Sequence, residues 1–151
     1  MKKQIFIIIV LFAIIITIGC SKDCDRYKDC KEWEQTIVEP QALLNITWEC
    51  VGFVDLESCK IKRRKYLLEF HENEELSGKT CNALSGNYEI DFMTGNVDIY
   101  IQAASEMLCP PSVDEELYLE TLNKVQFFSL QKDELRLYYN NKRNYLLFNK
   151  Q

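Results

Sequence analysis

The chain has 151 residues, 47% of them hydrophobic, a length that suits one compact domain. A formal net charge of −5 excludes a nucleic-acid-binding surface, because phosphates demand a basic face. One histidine, His71, and seven cysteines without a Cys-x-x-Cys pair leave no tetrahedral zinc spacing. No metal or other cofactor is expected.

The N-terminus opens with Lys2 and Lys3, then a 14-residue apolar run from Ile5 to Ile18 that only Thr17 interrupts. A permanent membrane span needs about 20 residues. The run instead suits the apolar core of a secretory signal. It ends at Thr17-Ile18-Gly19-Cys20, which resembles a bacterial lipobox with threonine where leucine is usual. The resemblance implies cleavage before Cys20 and lipidation of its thiol. Acyl chains anchor a protein by ~0.8 kcal/mol per buried CH₂. Residues 1–19 are then a lipoprotein signal peptide, 20–41 a lipidated tether and 42–151 one domain. Ser21 does not resemble an inner-membrane retention signal, and Lys22-Asp23 with Asp25 resembles the charged tethers of surface lipoproteins. The expected location is the outer membrane, on its periplasmic or surface face. Loss of Lys2 and Lys3 takes the charge from −5 to −7.

Residues 21–41 are charged, lack periodicity and end at Glu39-Pro40-Gln41. The stretch ITWECVGFV (46–54) reads as a strand, being rich in β-branched and aromatic residues. A basic run follows, Lys60, Lys62, Arg63, Arg64 and Lys65. It reads as a solvated loop, with contact to anionic lipid or polysaccharide as the sharper alternative. YLLEFH (66–71) and NYEIDF (87–92) read as strands. Thr94-Gly95-Asn96 is a turn, and Val97, Ile99 and Ile101 alternate beyond it, completing a hairpin.

One helix is expected, after Pro110-Pro111. Ser112 stands at the N-cap position and Glu115 three residues on, as in a capping box. Val113, Leu117, Thr121 and Val125, with Leu122, form an apolar stripe of about three turns. VQFFSL (125–130), ELRLYY (134–139) and NYLLF (144–148) read as further strands, the last two joined by a turn at 140–143. Strands, one helix and strands again imply an α+β fold with antiparallel pairing.

Excluding Cys20, six cysteines remain, and an even number in an exported chain reads as a disulfide framework with fifteen possible connectivities. Chemistry is sparse. His71 has no second histidine to work with and, lying opposite Tyr66, Leu68 and Phe70 on its strand, points to solvent. Glu74-Glu75, Glu115-Glu116 and Asp133-Glu134 fall at turns or in a first helical turn, where solvated charge is the default. Asn45-Ile46-Thr47 matches a glycosylation sequon that carries no meaning in a bacterial lipoprotein. The aromatic residues Phe127, Phe128, Tyr138, Tyr139, Tyr145 and Phe148 read as core.

SGKTCNALSGNY (77–88) raises a separate question: why a thiol and an amide sit together among Ser-Gly pairs. Ser77, Gly78, Cys81, Asn82, Ser85, Gly86 and Tyr88, with Met107, Cys109 and an acidic helix from Ser112, resemble the META or HslJ-like domain family. Trp48 early in the first strand and Phe148 in a closing hairpin fit as well, whereas Ala103-Ala104-Ser105-Glu106 departs from the small and basic residues usual there. The resemblance spans roughly Leu43 to Lys150. It implies a strongly curved antiparallel sheet, a half-open barrel, packed on one α-helix and stabilised by disulfides. It also implies that Cys81 lies near Cys109. The glycines would then let the backbone turn, Asn82 would hydrogen-bond locally or adopt left-handed geometry, and Cys81 would crosslink to Cys109. Cys50 with Cys59, across VGFVDLES, is the natural second bridge, and Cys24 with Cys30 follows.

These readings point to a non-enzymatic envelope lipoprotein. Its expected partners are the membrane, through Cys20, and an unidentified envelope or external protein or glycan. HslJ-like proteins are associated with heat shock and envelope-drug tolerance, so stress tolerance is the implied role. The alternatives are a lipocalin-like carrier of a small apolar ligand, or an inhibitor of an envelope-attacking enzyme that acts through loop 55–65. Binding residues are not legible in the sequence.

Overall fold

The computed structural model describes residues 38–56, 60–105, 110 and 114–151. Nine strands make one antiparallel sheet: β1 (Thr47–Asp55), β2 (Lys60–Arg63), β3 (Leu67–Phe70), β4 (Glu75–Lys79), β5 (Ala83–Asp91), β6 (Asn96–Ala104), β7 (Phe127–Gln131), β8 (Glu134–Tyr139) and β9 (Asn144–Lys150). One helix, α1 (Glu115–Leu122), lies between β6 and β7.

The sheet closes on itself. β9 pairs with β8 on one edge and with β1 on the other, from Trp48↔Lys150 to Asp55↔Asn144. β2 and β3 lie along the same edge of β1, with Gly52 opposite Arg63 and Glu49 opposite Leu67. Between them the Arg64 N–H reaches the Val51 carbonyl at 3.1 Å and the Cys50 N–H the Tyr66 carbonyl at 2.7 Å. β2 and β3 therefore act as one interrupted strand, and the barrel has eight staves. The half-open sheet expected from the sequence is a closed barrel because NYLLFNK supplies hydrogen bonds on both edges.

One seam stays thin. β6 and β7 share a single paired position, Asn96↔Phe127. Farther along β6 the Ile101 N–H goes instead to the Asn123 side-chain oxygen, 2.9 Å away, just past the end of α1. The helix fills this gap. Its N-cap position is Asp114, whose side chain makes no capping bond; Ser112 and Val113 lie outside the described residues. Tyr118, Thr121 and Leu122 are buried, whereas Leu117 is 44% exposed. Thr121 and Leu122 of the expected stripe thus face the core, and Tyr118 takes the place of Leu117. Eight residues make little more than two turns, so the helix ends before Val125, which is buried in the connection to β7.

The barrel interior is filled. Trp48, Cys50, Leu68, Phe70, Tyr118, Leu122, Leu135, Leu146 and Phe148 expose no surface. The Tyr118 ring packs edge-on to Phe53 at 6.4 Å and lies 4.5 Å from Tyr66. Trp48 places its indole N–H on the Leu43 carbonyl at 3.1 Å, so the polar edge of a buried ring is satisfied.

A second apolar cluster sits outside the barrel. Tyr145, Leu146, Leu147 and Phe148 are consecutive and all buried. Side chains alternate across a strand, and Leu146 and Phe148 belong to the inner core. Tyr145 and Leu147 therefore face outward, where they cluster with Val54 and Tyr138 and are flanked by Val51, Ile61 and Phe127. The Arg136 guanidinium lies over the Tyr145 ring at 5.1 Å.

Candidate functional site

The polar groups of the domain converge on the start of α1. Asp114 takes two cations from the interrupted β2–β3 strand, Lys62 and Arg64. The next residue, Glu115, turns to the β4–β5 turn. Asn82 donates its side-chain amide to Glu115 Oε2 at 2.7 Å and its backbone N–H to Oε1 at 3.1 Å. The Thr80 hydroxyl also binds Oε1. Ser105, at the end of β6, donates to Asn82 Oδ1 at 3.1 Å and accepts from the Ala83 N–H at 3.1 Å. Two adjacent carboxylates thus fasten one helix end to two neighbouring parts of the barrel wall, the β2–β3 strand and the β4–β5 turn.

The charges respond to this setting. Hydrogen bonds from Lys62 and then Arg64 hold the Asp114 carboxyl below its ordinary range. Burial pushes Glu115 up, but the bonds from Thr80 and Asn82 together outweigh it and leave its carboxyl lowered. Behind the dock, burial pushes the Cys50 thiol up to about 12. Burial likewise raises the Tyr66 and Tyr118 hydroxyls, opposed at Tyr66 by the nearby Arg64, and the Tyr118 hydroxyl has no hydrogen-bond partner among the described residues.

This geometry answers the question posed by SGKTCN. Asn82 is buried; its backbone bonds locally with Thr80, its side-chain amide reaches Glu115 33 residues away, and it is not among the left-handed residues. Gly78 and Gly86 lie within β4 and β5, not in the turn, which is Thr80-Cys81-Asn82. They permit close strand approach: a Cβ on Gly78 would stand 2.5 Å from the Leu67 carbonyl oxygen, and one on Gly86 would overlap that of Tyr100. The basic run is not a solvated loop either. Lys60 to Arg63 pair with β1, and the side chains of Lys62 and Arg64 are engaged by Asp114.

The cysteine scheme changes. Cys50 is a free, buried thiol, not the partner of Cys59. The β1–β2 register gives the reason. Lys60 pairs with Asp55, five residues along β1 from Cys50. At ~3.3 Å per residue that is about 16 Å, whereas a bridge tolerates roughly 7 Å between Cα atoms. Cys81 is disulfide-bonded, to a cysteine outside the described residues. Cys20, Cys24, Cys30, Cys59 and Cys109 also lie outside them.

The remaining candidates for chemistry are dispersed. His71 Nε2 is 2.7 Å from Ser77 Oγ, and its other nitrogen is 3.7 Å from Glu69. Cys50 meets β3 at Tyr66, five residues and about 16 Å from His71, so thiol and imidazole do not form a pair. No cluster of three metal-binding side chains occurs among the described residues, and no described helix is long and apolar enough to cross a membrane. A surface groove of about 600 Å³ runs between the end of α1 and the β8–β9 turn, lined by Asn123, Lys124, Gln126, Tyr139, Asn140 and Asn141. The sequence reading missed this groove; the signal for it was the Asn140-Asn141-Lys142 run, whose residues all take positive φ and turn the chain sharply.

Comparison with known proteins fixes the family. The META domain profile matches residues 41–151, the whole barrel and its helix. The chain belongs to the META domain family. Among solved structures, this META domain is similar to a DUF4847 family protein from Bacteroides vulgatus, at 17% identity and a TM-score of 0.58, covering 72% of this chain and 94% of the other. A second structure, solved by NMR, is similar at 20% identity and a TM-score of 0.55, covering 74% and 94%. At these identities the likeness is one of fold. A search of curated proteins finds no match.

Proposed function

We propose that this META domain is a non-enzymatic envelope module, anchored through lipid on Cys20 at the outer membrane, that binds an envelope or external protein or glycan through its outer surface. The observation that carries this reading is the inward use of its polar groups. Asp114, Glu115, Asn82 and Thr80 are consumed in fastening α1, and the buried Cys50 thiol is held neutral. A filled barrel speaks against the carrier reading: a ligand-sized void beside Trp48, Phe70 or Phe148 would leave them accessible surface, and they have none. Binding is thereby left to the exterior, where the groove beside Tyr139 offers amides, a lysine ammonium and one aromatic ring. The lipobox-like Gly19-Cys20 and the cysteine-rich composition support the envelope address.

The test joins two measurements. Mass spectrometry of the membrane-extracted protein should find an acylated Cys20 at the N-terminus; an intact Met1 refutes the anchor. Protease shaving of intact cells, with a periplasmic control, then reads the face. Loss of the protein with survival of the control directs the partner search outside the cell; survival until the outer membrane is opened directs it to the periplasm.

A further inference from the structure

The groove between the end of α1 and the β8–β9 turn lies at one mouth of the barrel, the rim marked by the pairs Asp55↔Asn144, Phe127↔Tyr138 and Asn96↔Phe127. The described chain enters the fold at the other mouth. There the Asn45 N–H reaches the Phe70 carbonyl and the Gln151 N–H the Thr47 carbonyl. The length of β9 separates the two mouths by roughly 20 Å.

The groove is held in shape by the fold itself. Tyr139 shares a face of β8 with Leu135 and Leu137, which belong to the inner core, so its half-buried ring is fixed in the mouth. Asn123 gives its amide oxygen to the Ile101 N–H at 2.9 Å, which leaves its NH₂ to donate elsewhere. Gln126 is pinned through its backbone, its N–H on the Tyr138 carbonyl at 2.9 Å and its carbonyl under the Val97 N–H at 3.1 Å. Asn140 and Asn141 are left-handed, at φ 52° and 54°, and the Arg143 N–H closes their turn on the Asn140 carbonyl at 3.1 Å. Such pre-organisation lowers the entropy cost of binding.

The lining favours one chemistry. Four side-chain amides offer donors and acceptors together, beside one aromatic ring and no aliphatic side chain. Protein partners are anchored by apolar and aromatic hot spots in a desolvated centre, which this groove does not provide. A sugar ring has the matching layout, with hydroxyl and acylamino groups around its edge and C–H groups on its face. The single charge in the lining, Lys124, pairs with Glu120 at 3.3 Å, and no lining residue is acidic, so uncharged and acidic sugars fit and cationic ones do not. A volume of about 600 Å³ lies within the 300–1,000 Å³ usual for ligand sites.

We propose that this groove is a glycan-binding site, in which Asn123, Gln126, Asn140 and Asn141 hydrogen-bond sugar hydroxyl and acylamino groups and Tyr139 stacks on a ring face. The proposal rests on the envelope reading for where the glycan is met, and on that reading the groove is the mouth away from the tether.

An array of immobilised glycans tests it, probed with the full chain extracted in detergent from its own membranes. The array carries the capsular and lipopolysaccharide glycans of the same cells, chitohexaose, and hyaluronan and dextran fragments. Saturable binding to at least one is expected. Asn141→Gly removes an amide yet accepts the left-handed backbone. Combined with Gln126→Ala, which truncates an exposed side chain, it should weaken binding at least tenfold through two lost hydrogen bonds, with the melting temperature unchanged. Gln131→Ala, exposed at the opposite end of β7, should leave binding as it was. Binding to none of these glycans, or binding unaltered in the double variant or lost equally in Gln131→Ala, overturns the site. A protein crosslinked from position 126 with no glycan bound overturns the site and leaves the envelope reading standing. Groove-dependent glycan binding by a chain whose Cys20 carries no acyl group upholds the site and overturns the anchor.

Discussion

Replacing Asn82 with alanine isolates the helix dock. The substitution removes the 2.7 Å bond from the side-chain amide to Glu115 Oε2 and the acceptor for the Ser105 hydroxyl at 3.1 Å. It leaves the backbone N–H bond to Oε1 in place. A hydrogen bond to a charged group contributes about 1.5–3 kcal/mol and a neutral one about 1 kcal/mol. The predicted loss is therefore about 2.5–4 kcal/mol, a large share of the 5–15 kcal/mol typical of a domain. Urea unfolding followed by far-UV circular dichroism measures it, with the slope against denaturant unchanged, and the melting temperature should fall by on the order of 10 °C. A double-mutant cycle with Glu115→Ala then separates the pair from its surroundings. A loss under ~1 kcal/mol, or additive losses in the cycle, would show that the amide and carboxylate do not hold the helix and that the reasoning fails.

Glu115 and Asp114 both have lowered carboxyls, so their contribution is complete above the ordinary values of 4.5 and 3.8 and is lost as the pH falls through and below them. The urea midpoint should drop over that range, and Glu115→Gln should flatten part of the drop. Cys50 runs the other way: its raised thiol predicts stability lost above pH 9, by up to ~1.4 kcal/mol per pH unit. An unpaired Cys50 leaves five other cysteines after Cys20, an odd number. Thiol titration of the denatured, unreduced monomer with Cys20 acylated should therefore find at least two free thiols, with Cys50 unlabelled until the protein unfolds; no free thiol would refute an unpaired Cys50. Tyr118→Ala should cost about 3–5 kcal/mol and Leu117→Ser less than about 0.5, since the first fills the core and the second faces solvent. Gly86→Ala should destabilise by several kcal/mol, on the order of other strained backbone sites, because its Cβ would meet the Tyr100 carbonyl.

The strands with clear alternation were legible. ITWECVGFV, NYEIDF and the two C-terminal runs became β1, β5, β8 and β9. KIKR and ELSGK were not, because each holds one apolar residue, Ile61 and Leu76, and so shows no period. They are strands because β1 and β5 present free edges to them, a tertiary effect that overrides local preference. The dock was hidden for a related reason. Asp114 and Glu115 look like ordinary first-turn acids, and their partners lie 50 and 33 residues away. The two-sided burial of β8 and β9 did leave a trace. In LRLYY and YLLF both alternating sets are largely apolar, the pattern of strands covered on each face.

The closure of the barrel by β1 and β9 also sets how the chain reaches its fold. Trp48 pairs with Lys150, so the last strand made completes the first. Such long-range pairing is slow, because loop-closure entropy must be spent before any contact rewards it. Until β9 arrives, β1 leans only on its hairpin with β2 and β3, and the inward edge of Trp48, Cys50 and Phe53 stays open to misassociation. Refolding should accordingly show one late phase in which Trp48 fluorescence and the protection of β9 amides appear together, and a chain cut before Asn144 should hold its hairpins yet never reach that phase.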